Sequence, residues 1–400
     1  MKPEAAEQEA ADRRLRVLSI TRVLPVAGNA SQGIFVHRRL VAMRQRMDVR
    51  CFQPIPYFPI IRPLPQICAG QPDEPIRTPM FYLPGILKGL DARFLRRSVR
   101  AAVESAIADR RVDVMEAHFG YPDGAAVVDL AREFGIPSVV TLRGVENELM
   151  RKRGVQGQLT DALRRADGVI CVSHYLEELA LKAGVDPARL TVIHNAVDRR
   201  NFSPGCRADT RRRLGLPNDA KIIVSIGHLI ERKGHHVLIE AMRTLRAQHS
   251  EVQLLIIGAE SDRSYSKRLH RDIVKLGLGS SVHILGNVDP LYIPNYLRAA
   301  DIFALMTSRE GCCNAILEAL ACGLPTVTTD AGDNAHFISQ RNGRIVARDS
   351  SECAAALSEV LSSRQFNPAE VSETLRVHGW EEVASQVEQF FRATILRRNS

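Results

Sequence analysis

The sequence predicts an α/β protein of two doubly wound domains, each a parallel sheet with helices on both faces. Three observations predict it. Short β-branched runs alternate with longer amphipathic ones, the pattern of parallel strand–helix units. That pattern runs once through residues 15–198 and then restarts. The length, 400 residues, suits two domains, each taking roughly 100–200 residues.

Residues 1–14 are polar, acidic and then basic, without the apolar core of a signal peptide, and read as a short frayed extension. LRVLSI (15–20) is a buried strand, followed by a glycine-containing turn and a helix near 33–46. The segment 54–85 is dense in proline and also in apolar side chains, and reads as loop or short extended structure. Asp91–Arg110 carries Leu95, Val99, Val103 and Ile107 at every fourth position, with Arg93, Arg96, Arg97 and Arg100 mostly off that stripe. It is a surface helix whose basic side is either solvated or turned, beside the apolar loop, to an anionic membrane. VDVMEAH (112–118), IPSVVTL (136–142) and DGVICVS (167–173) are further strands, and TVIHNAVD (191–198) ends this half. KIIVSIG (221–227), VQLLIIG (252–258), VHILG (282–286), DIFALM (301–306) and LPTVTT (324–329) are the strands of the second. The expected division is an N-terminal domain over 15–200, a C-terminal domain over 201–378 and a final segment over 379–400. Ligands of such sheets collect at the carboxyl ends of the strands. With two sheets facing each other, the site is expected in the cleft between domains.

An apolar fraction of 45% with 25% charged residues is that of a soluble globular protein. No run approaches the roughly 18–20 apolar residues of a membrane span. Eight scattered cysteines, without a CxxC pair or histidines at zinc spacing, point to reduced thiols. The expected location is the cytoplasm, or the inner face of the cell membrane as a peripheral protein. A net charge of +9 fits nucleic acid or an anionic membrane surface equally, and decides nothing alone. No zinc finger or RNP-type aromatic strand is recognisable, so nucleic acid is not the expected partner.

The chemistry concentrates in SREGCCNAILEALACGLPTVTTDAG (308–332). A strand runs into a turn containing Gly311, and NAILEALACG follows as a helix stopped by Gly323. A helix beginning there presents free backbone N–H groups and its positive dipole end, an anion site suited to a diphosphate. Glu310 lies before the first turn and Glu318 lies inside the helix, at most about 12 Å further along its axis. That separation matches a nucleotide sugar from ribose to hexose. Each glutamate alone also suits an ordinary surface or first-turn acid.

This string resembles the E-x7-E signature of the family-four glycosyltransferases, retaining enzymes of GT-B architecture. GHLIERKGHHVLIEAM (227–242) is similar to the glycine–KG–helix segment that opens their nucleotide-binding domain. HNAVDRRNFSP (194–204) and NGRIV (342–346) resemble their interdomain connection and late turn. SQGIFVHRRL (31–40) and EAHFGYPDGAA (116–126) resemble the bacterial branch that builds cell-surface polysaccharides. HGWEEVASQVEQFF (378–391) resembles the helix that crosses back to the N-terminal domain.

The resemblance implies two facing Rossmann-like domains with an interdomain cleft. It implies transfer of a sugar, with retention, from a nucleotide-sugar donor to a glycan or lipid-linked acceptor. Glu310 then faces the donor sugar, Glu318 the ribose, Lys233 neutralises the diphosphate, and His118 lines the reacting cleft. Substrate-binding roles pass to Gly33, Gly311, Asn314, Arg232, His228, Arg143 and Asn195. Some positions depart from the family pattern. His228 stands where many members carry arginine, Cys313 where proline is common, and Arg143-Gly144 where His-Gly is usual. AGDNAHF (331–337) lacks a second glycine and a following Pro-Glu. No Asp-x-Asp occurs anywhere in the chain, so neither metal nor cofactor is expected. Two other readings stay open: a sugar-nucleotide epimerase of the same architecture, and a non-catalytic partner that binds nucleotide or scaffolds a polysaccharide complex.

Overall fold

The computed structural model describes residues 13–26, 32–59, 74–363 and 365–399. They form two compact units, one running to Asn195 and taking in the chain from Trp380 onward, the other spanning Ala196–Gly379.

The first unit holds a seven-stranded sheet of β1 (Arg16–Ile20), β2 (Asp48–Tyr57), β3 (Ile76–Phe81), β4 (Val114–His118), β5 (Ser138–Leu142), β6 (Gly168–Cys171) and β7 (Leu190–Val192). Its order is β3-β2-β1-β4-β5-β6-β7, with every pair parallel. The second unit holds six strands, β8 (Lys221–Ile226), β9 (Val252–Ile257), β10 (Val282–Gly286), β11 (Ile302–Leu305), β12 (Thr326–Thr329) and β13 (Gly343–Val346), in the order β10-β9-β8-β11-β12-β13 and again all parallel. Both sheets are doubly wound, and strand order reverses between β1 and β4 in one and between β8 and β11 in the other. Such a reversal leaves a crevice outside the strand carboxyl ends, because the connecting helices leave on opposite faces.

Central strands are buried on both faces and so read as unbroken apolar runs. Ile222, Ile223 and Val224 of β8 are 0% exposed. Val237, Leu238, Met242 and Leu245 of the helix His235–Gln248 pack on one side of that sheet. Ile316, Leu317 and Leu320 of the helix Asn314–Ala321 pack on the other. In the first unit Leu95, Val99 and Val103 form the buried stripe of Asp91–Asp109, as their spacing requires. On its outer side Arg96 and Arg100 pair with Glu133 at 3.0 and 2.7 Å.

Of the loop or short extended structure expected over 54–85, the described residues at both ends of the segment take the extended form. β2 continues through Pro54 and Pro56 to Tyr57, and β3 occupies Ile76–Phe81 with Pro79 inside it; residues 60–73 lie outside the described set. Register explains why proline is tolerated. The Phe52 carbonyl accepts from Thr21 on the β1 side, whereas the Tyr57 carbonyl accepts from Tyr82 on the β3 side. Pro54 and Pro56 share the parity of Phe52, so their missing N–H groups face an edge where β1 has already ended at Ile20. Proline therefore removes no ladder bond there.

The last helix, Trp380–Asn399, packs on Ile34–Arg46 and belongs to the first unit. Its Phe390 and Thr394 press against Gly168, where a Cβ would lie 2.8 Å from Phe390 Cε1. Arg398 reaches Asp167 at 3.1 Å and Glu388 reaches Arg46 at 2.8 Å.

Candidate active site

In the second unit the polar groups gather where β8 and β11 end. Lys233 closes a short 3-10 turn, Glu231–Lys233, and Gly234 caps it at φ 74° before the helix His235–Gln248 begins. The turn is stitched to the loop after β11. The Ser308 N–H donates to the Arg232 carbonyl at 2.9 Å, and the Arg232 guanidinium donates to the Arg309 carbonyl at 2.6 Å. Arg348 bridges the Met306 and Glu231 carbonyls at 2.8 and 2.6 Å.

That stitching brings Glu310 to its cations. Glu310 Oε1 accepts from Lys233 Nζ at 2.7 Å and from the Thr307 hydroxyl at 2.8 Å, with Arg232 at 3.3 Å. The glutamate side chain is 8% exposed and that of Lys233 is 12%. Burial pushes the Glu310 carboxyl up, but the Lys233 and Arg232 charges overrule it, and its pKa lies below the ordinary glutamate value. The result is a half-enclosed carboxylate, ionised at neutral pH, with two cations on one side. The aliphatic stem of Lys233 lies against Gly227, where a Cβ would be 3.1 Å from Lys233 Cδ. Gly332 sits on the backbone of Glu310 and Gly311, with room for no side chain: a Cβ would lie 2.6 Å from the Glu310 carbonyl. The segment 331–337 is thus part of this floor, and Asn334 anchors it by donating to the Thr329 carbonyl at 3.1 Å.

Asn314 opens the helix that carries the half-buried Glu318, and Gly311 lies in the buried turn before it. His228 follows β8, and its Nδ1 meets the Ser261 hydroxyl at 2.8 Å. Partial burial, then the charges of Lys233 and Arg232, lower its pKa.

His235 was not singled out in the sequence, although the doublet His235-His236 directly after KG was visible. Its ring is fully buried. Nε2 lies 3.1 Å from the Gly227 carbonyl, which only accepts, so Nε2 carries the proton; Nδ1 lies 3.2 Å from the Ser225 hydroxyl. The ring is neutral, and burial brings its pKa down to about 4. A histidine depressed when folded contributes stability that is complete above its unfolded value of about 6.5 and is lost as pH falls through the folded one. Wild-type protein is therefore expected to lose up to about 3 kcal/mol between neutrality and pH ~4 through this ring. His235→Asn should show a shallower fall in Tm over that window; equal slopes in both proteins would contradict the buried neutral ring.

In the first unit, His118, Arg143 and Asn195 form one cluster at the carboxyl ends of β4 and β5. Arg143 reaches His118 Nδ1 at 3.0 Å and Asn195 Oδ1 at 3.2 Å, and lies 5.2 Å from the Phe35 ring centre. A guanidinium has no acceptor, so His118 Nδ1 holds a lone pair and the proton sits on Nε2, 3.3 Å from the Ser19 hydroxyl and 3.7 Å from Glu116. His118 is buried, and burial followed by the charges of Arg143 and Arg39 holds its pKa well below the ordinary histidine value. Glu116 pairs with the buried Arg39 at 2.8 Å. Glu146 accepts from the backbone N–H groups of Gly120, Arg143 and Gly144, at 3.0, 3.1 and 2.7 Å, and so fixes where the Arg143 chain turns. Arg39, Glu116, Thr307 and Arg348 carry no local signal, since each matters only through a partner distant in sequence. Gly33 caps the helix Ile34–Arg46 at φ 62°, where a Cβ would meet the Val23 carbonyl at 2.3 Å. Its glycine is demanded by backbone approach, whatever else binds there.

Two family models divide the chain. Glycosyltransferase Family 4 matches residues 37–201, and Glycosyl transferases group 1 matches residues 207–374. The chain belongs to the family-four glycosyltransferases. Its two parallel α/β units are those of the GT-B class. TuaC of Bacillus subtilis (strain 168), a glycosyltransferase assigned to teichuronic acid biosynthesis, is 26% identical over 90% of this chain and 92% of its own. The D-inositol 3-phosphate glycosyltransferase of Corynebacterium urealyticum is 30% identical over 62% of this chain, which spans 61% of it. Among solved structures, sucrose-phosphate synthase from Thermosynechococcus elongatus superposes with a TM-score of 0.77 at 22% identity, over 96% of this chain and all of that one. Anabaena HepE, crystallised with UDP and glucose, superposes at 0.75 and 20% identity, over 94% of this chain and all of its own.

Proposed function

We propose that this glycosyltransferase moves a sugar from a nucleotide-sugar donor to a glycan or lipid-linked acceptor in surface-polysaccharide synthesis, retaining configuration and using no metal. The observation that carries the reading is the Lys233–Glu310–Arg232 cluster at the strand reversal of the second unit. A departing nucleoside diphosphate gains negative charge, and preorganised cations stabilise that charge without reorganising at the moment of reaction. Lys233 and Arg232 are those cations, and the positive end of the helix Asn314–Ala321, which has no side-chain cap at Cys313, adds to them. Glu310, held ionised by the same cations, is an acceptor for donor-sugar hydroxyls, and Glu318 serves the ribose. On the first unit the buried, neutral His118 keeps its Nε2 proton toward Ser19 and Glu116 and its Nδ1 toward Arg143, so its part is to position the Arg143 guanidinium. The relative from Bacillus subtilis supports a polysaccharide acceptor. The structure has no helix long and apolar enough to cross a membrane among its described residues, and we assign a peripheral position at the inner face of the membrane, where a lipid-linked acceptor would be met.

The test is a donor screen of the purified protein against UDP-, GDP- and ADP-sugars with chelator present. Release of nucleoside diphosphate from one donor is expected, falling by about 10²-fold or more in Lys233→Ala. Binding without release would call for a lipid-linked glycan in the assay. Binding of no donor would leave the non-catalytic partner as the better reading.

A further inference from the structure

The first unit carries a second polar site, at the opposite end of its sheet from His118. Where β1 and β2 begin, a depression of about 660 Å³ is lined by Arg13, Arg14, Arg16, Arg44, Arg50 and Arg110. Among the described residues Asp48 is the one carboxylate in that lining. Five residues of β1 separate this end from the other, about 16 Å at strand rise.

Three of the six guanidinium groups have a carboxylate partner: Arg13 with Asp113 at 2.6 Å, Arg50 with Asp109 at 2.7 Å, and Arg110 with Asp48 at 3.2 Å. Among the described residues the other three have none. Arg14 donates to the carbonyls of Arg44 and Arg46 at 2.6 and 3.3 Å, capping the end of the helix Ile34–Arg46, which accounts for that arginine alone. Arg44 makes a long contact to the Val49 carbonyl at 3.4 Å. The Arg16 guanidinium has no hydrogen-bond or ion-pair partner among the described residues, its backbone N–H being the group that meets Asp113. Like charges gathered around one depression repel within a screening length of about 8 Å. An anion seated among them removes that repulsion, and the planar fork of arginine matches phosphate oxygens in pairs.

We infer that this depression is a binding site for clustered phosphate groups, separate from the donor site. Two sources share that chemistry: a soluble polyphosphoryl anion, and the headgroups of an anionic bilayer.

The test uses the full chain at low salt, titrated with tripolyphosphate and, in parallel, sedimented with phosphatidylcholine vesicles with and without phosphatidylglycerol. Arg16→Ala with Arg44→Ala removes two cations that hold no carboxylate, and Arg16→Gln with Arg44→Gln does so while keeping most of each stem. Arg212→Ala with Arg213→Ala lowers net charge equally on the second unit, and Lys233→Ala disables the donor-site cation. Tripolyphosphate binding that weakens about tenfold or more in both Arg16/Arg44 variants, and persists in the two controls, is the expected result for a soluble ligand. Vesicle binding that requires phosphatidylglycerol and is lost in the same variants alone is the expected result for a lipid source. Equal loss in Arg212→Ala with Arg213→Ala, loss in Lys233→Ala, or no binding of either probe would overturn the site. None of these readouts depends on sugar transfer.

Discussion

Glu310→Gln is expected to lower kcat/KM for the donor by about 10²-fold and to change the protein's acid stability. The catalytic loss follows from charge. The amide keeps the shape but can no longer hold Lys233 and Arg232 by charge-assisted bonds, which are roughly twice as strong as neutral ones. Nor does it accept as strongly from sugar hydroxyls. Removing one partner of an enclosed pair costs about 3–5 kcal/mol when burial is complete. Here Lys233 is 12% and Arg232 29% exposed, so solvent screens part of it, and a stability loss nearer 1–3 kcal/mol is expected. The pH dependence has a definite sign. Glu310 has a folded pKa below its unfolded value of 4.5, so its contribution is complete above 4.5 and is lost as pH falls through the folded pKa. Wild-type and variant Tm values should differ at neutral pH and converge in acid. A variant with wild-type turnover would remove Glu310 from the site.

The second large effect belongs to Gly234→Ala. At φ 74° an alanine costs about 1–2 kcal/mol. Its Cβ would also stand 1.9 Å from the Met306 carbonyl oxygen, and both sides of that clash are backbone. Neither can move alone, because Gly234 joins the Lys233 turn to the helix His235–Gln248 and Met306 follows β11. A loss of at least about 3 kcal/mol is expected, equivalent to a Tm drop of roughly 6–12 °C in a unit of this size. Donor turnover should fall as well, because any relief of the clash moves Lys233 away from Glu310. Calorimetry of the variant decides it: an unchanged Tm would mean that the turn does not pack as described.

Much of the fold was legible because its signals are local. A parallel sheet buried on both faces writes itself as short β-branched runs, and the restart of that rhythm after residue 198 marks a second sheet. β2 and β3 escaped because proline reads as a breaker by composition. Whether its missing N–H matters depends on which edge it faces and where the neighbouring strand stops. The glutamate–glycine turn before an apolar helix, and the KG turn before another, were legible for the same local reason. Each is a strand–turn–helix junction, and such junctions aim backbone amides and nearby charges at one end of a sheet.

That a glutamate and a lysine stand at these two junctions was therefore legible in the sequence. That Lys233 meets Glu310 across 77 positions was settled by strand order, which places β8 beside β11. The protonation of the site was likewise a tertiary matter. His118 is neutral because it is buried and because Arg143, following β5, adds a guanidinium at its Nδ1, and Glu310 is ionised because two cations outweigh its burial. The arginine-lined depression has the same origin. Its cations come from three separate stretches, 13–16, 44–50 and Arg110, which share a wall because β1 and β2 start side by side and the helix Asp91–Asp109 ends beside them. Periodicity is fixed by neighbours a few residues away, whereas charge state and pairing depend on whatever the topology brings within a few ångströms.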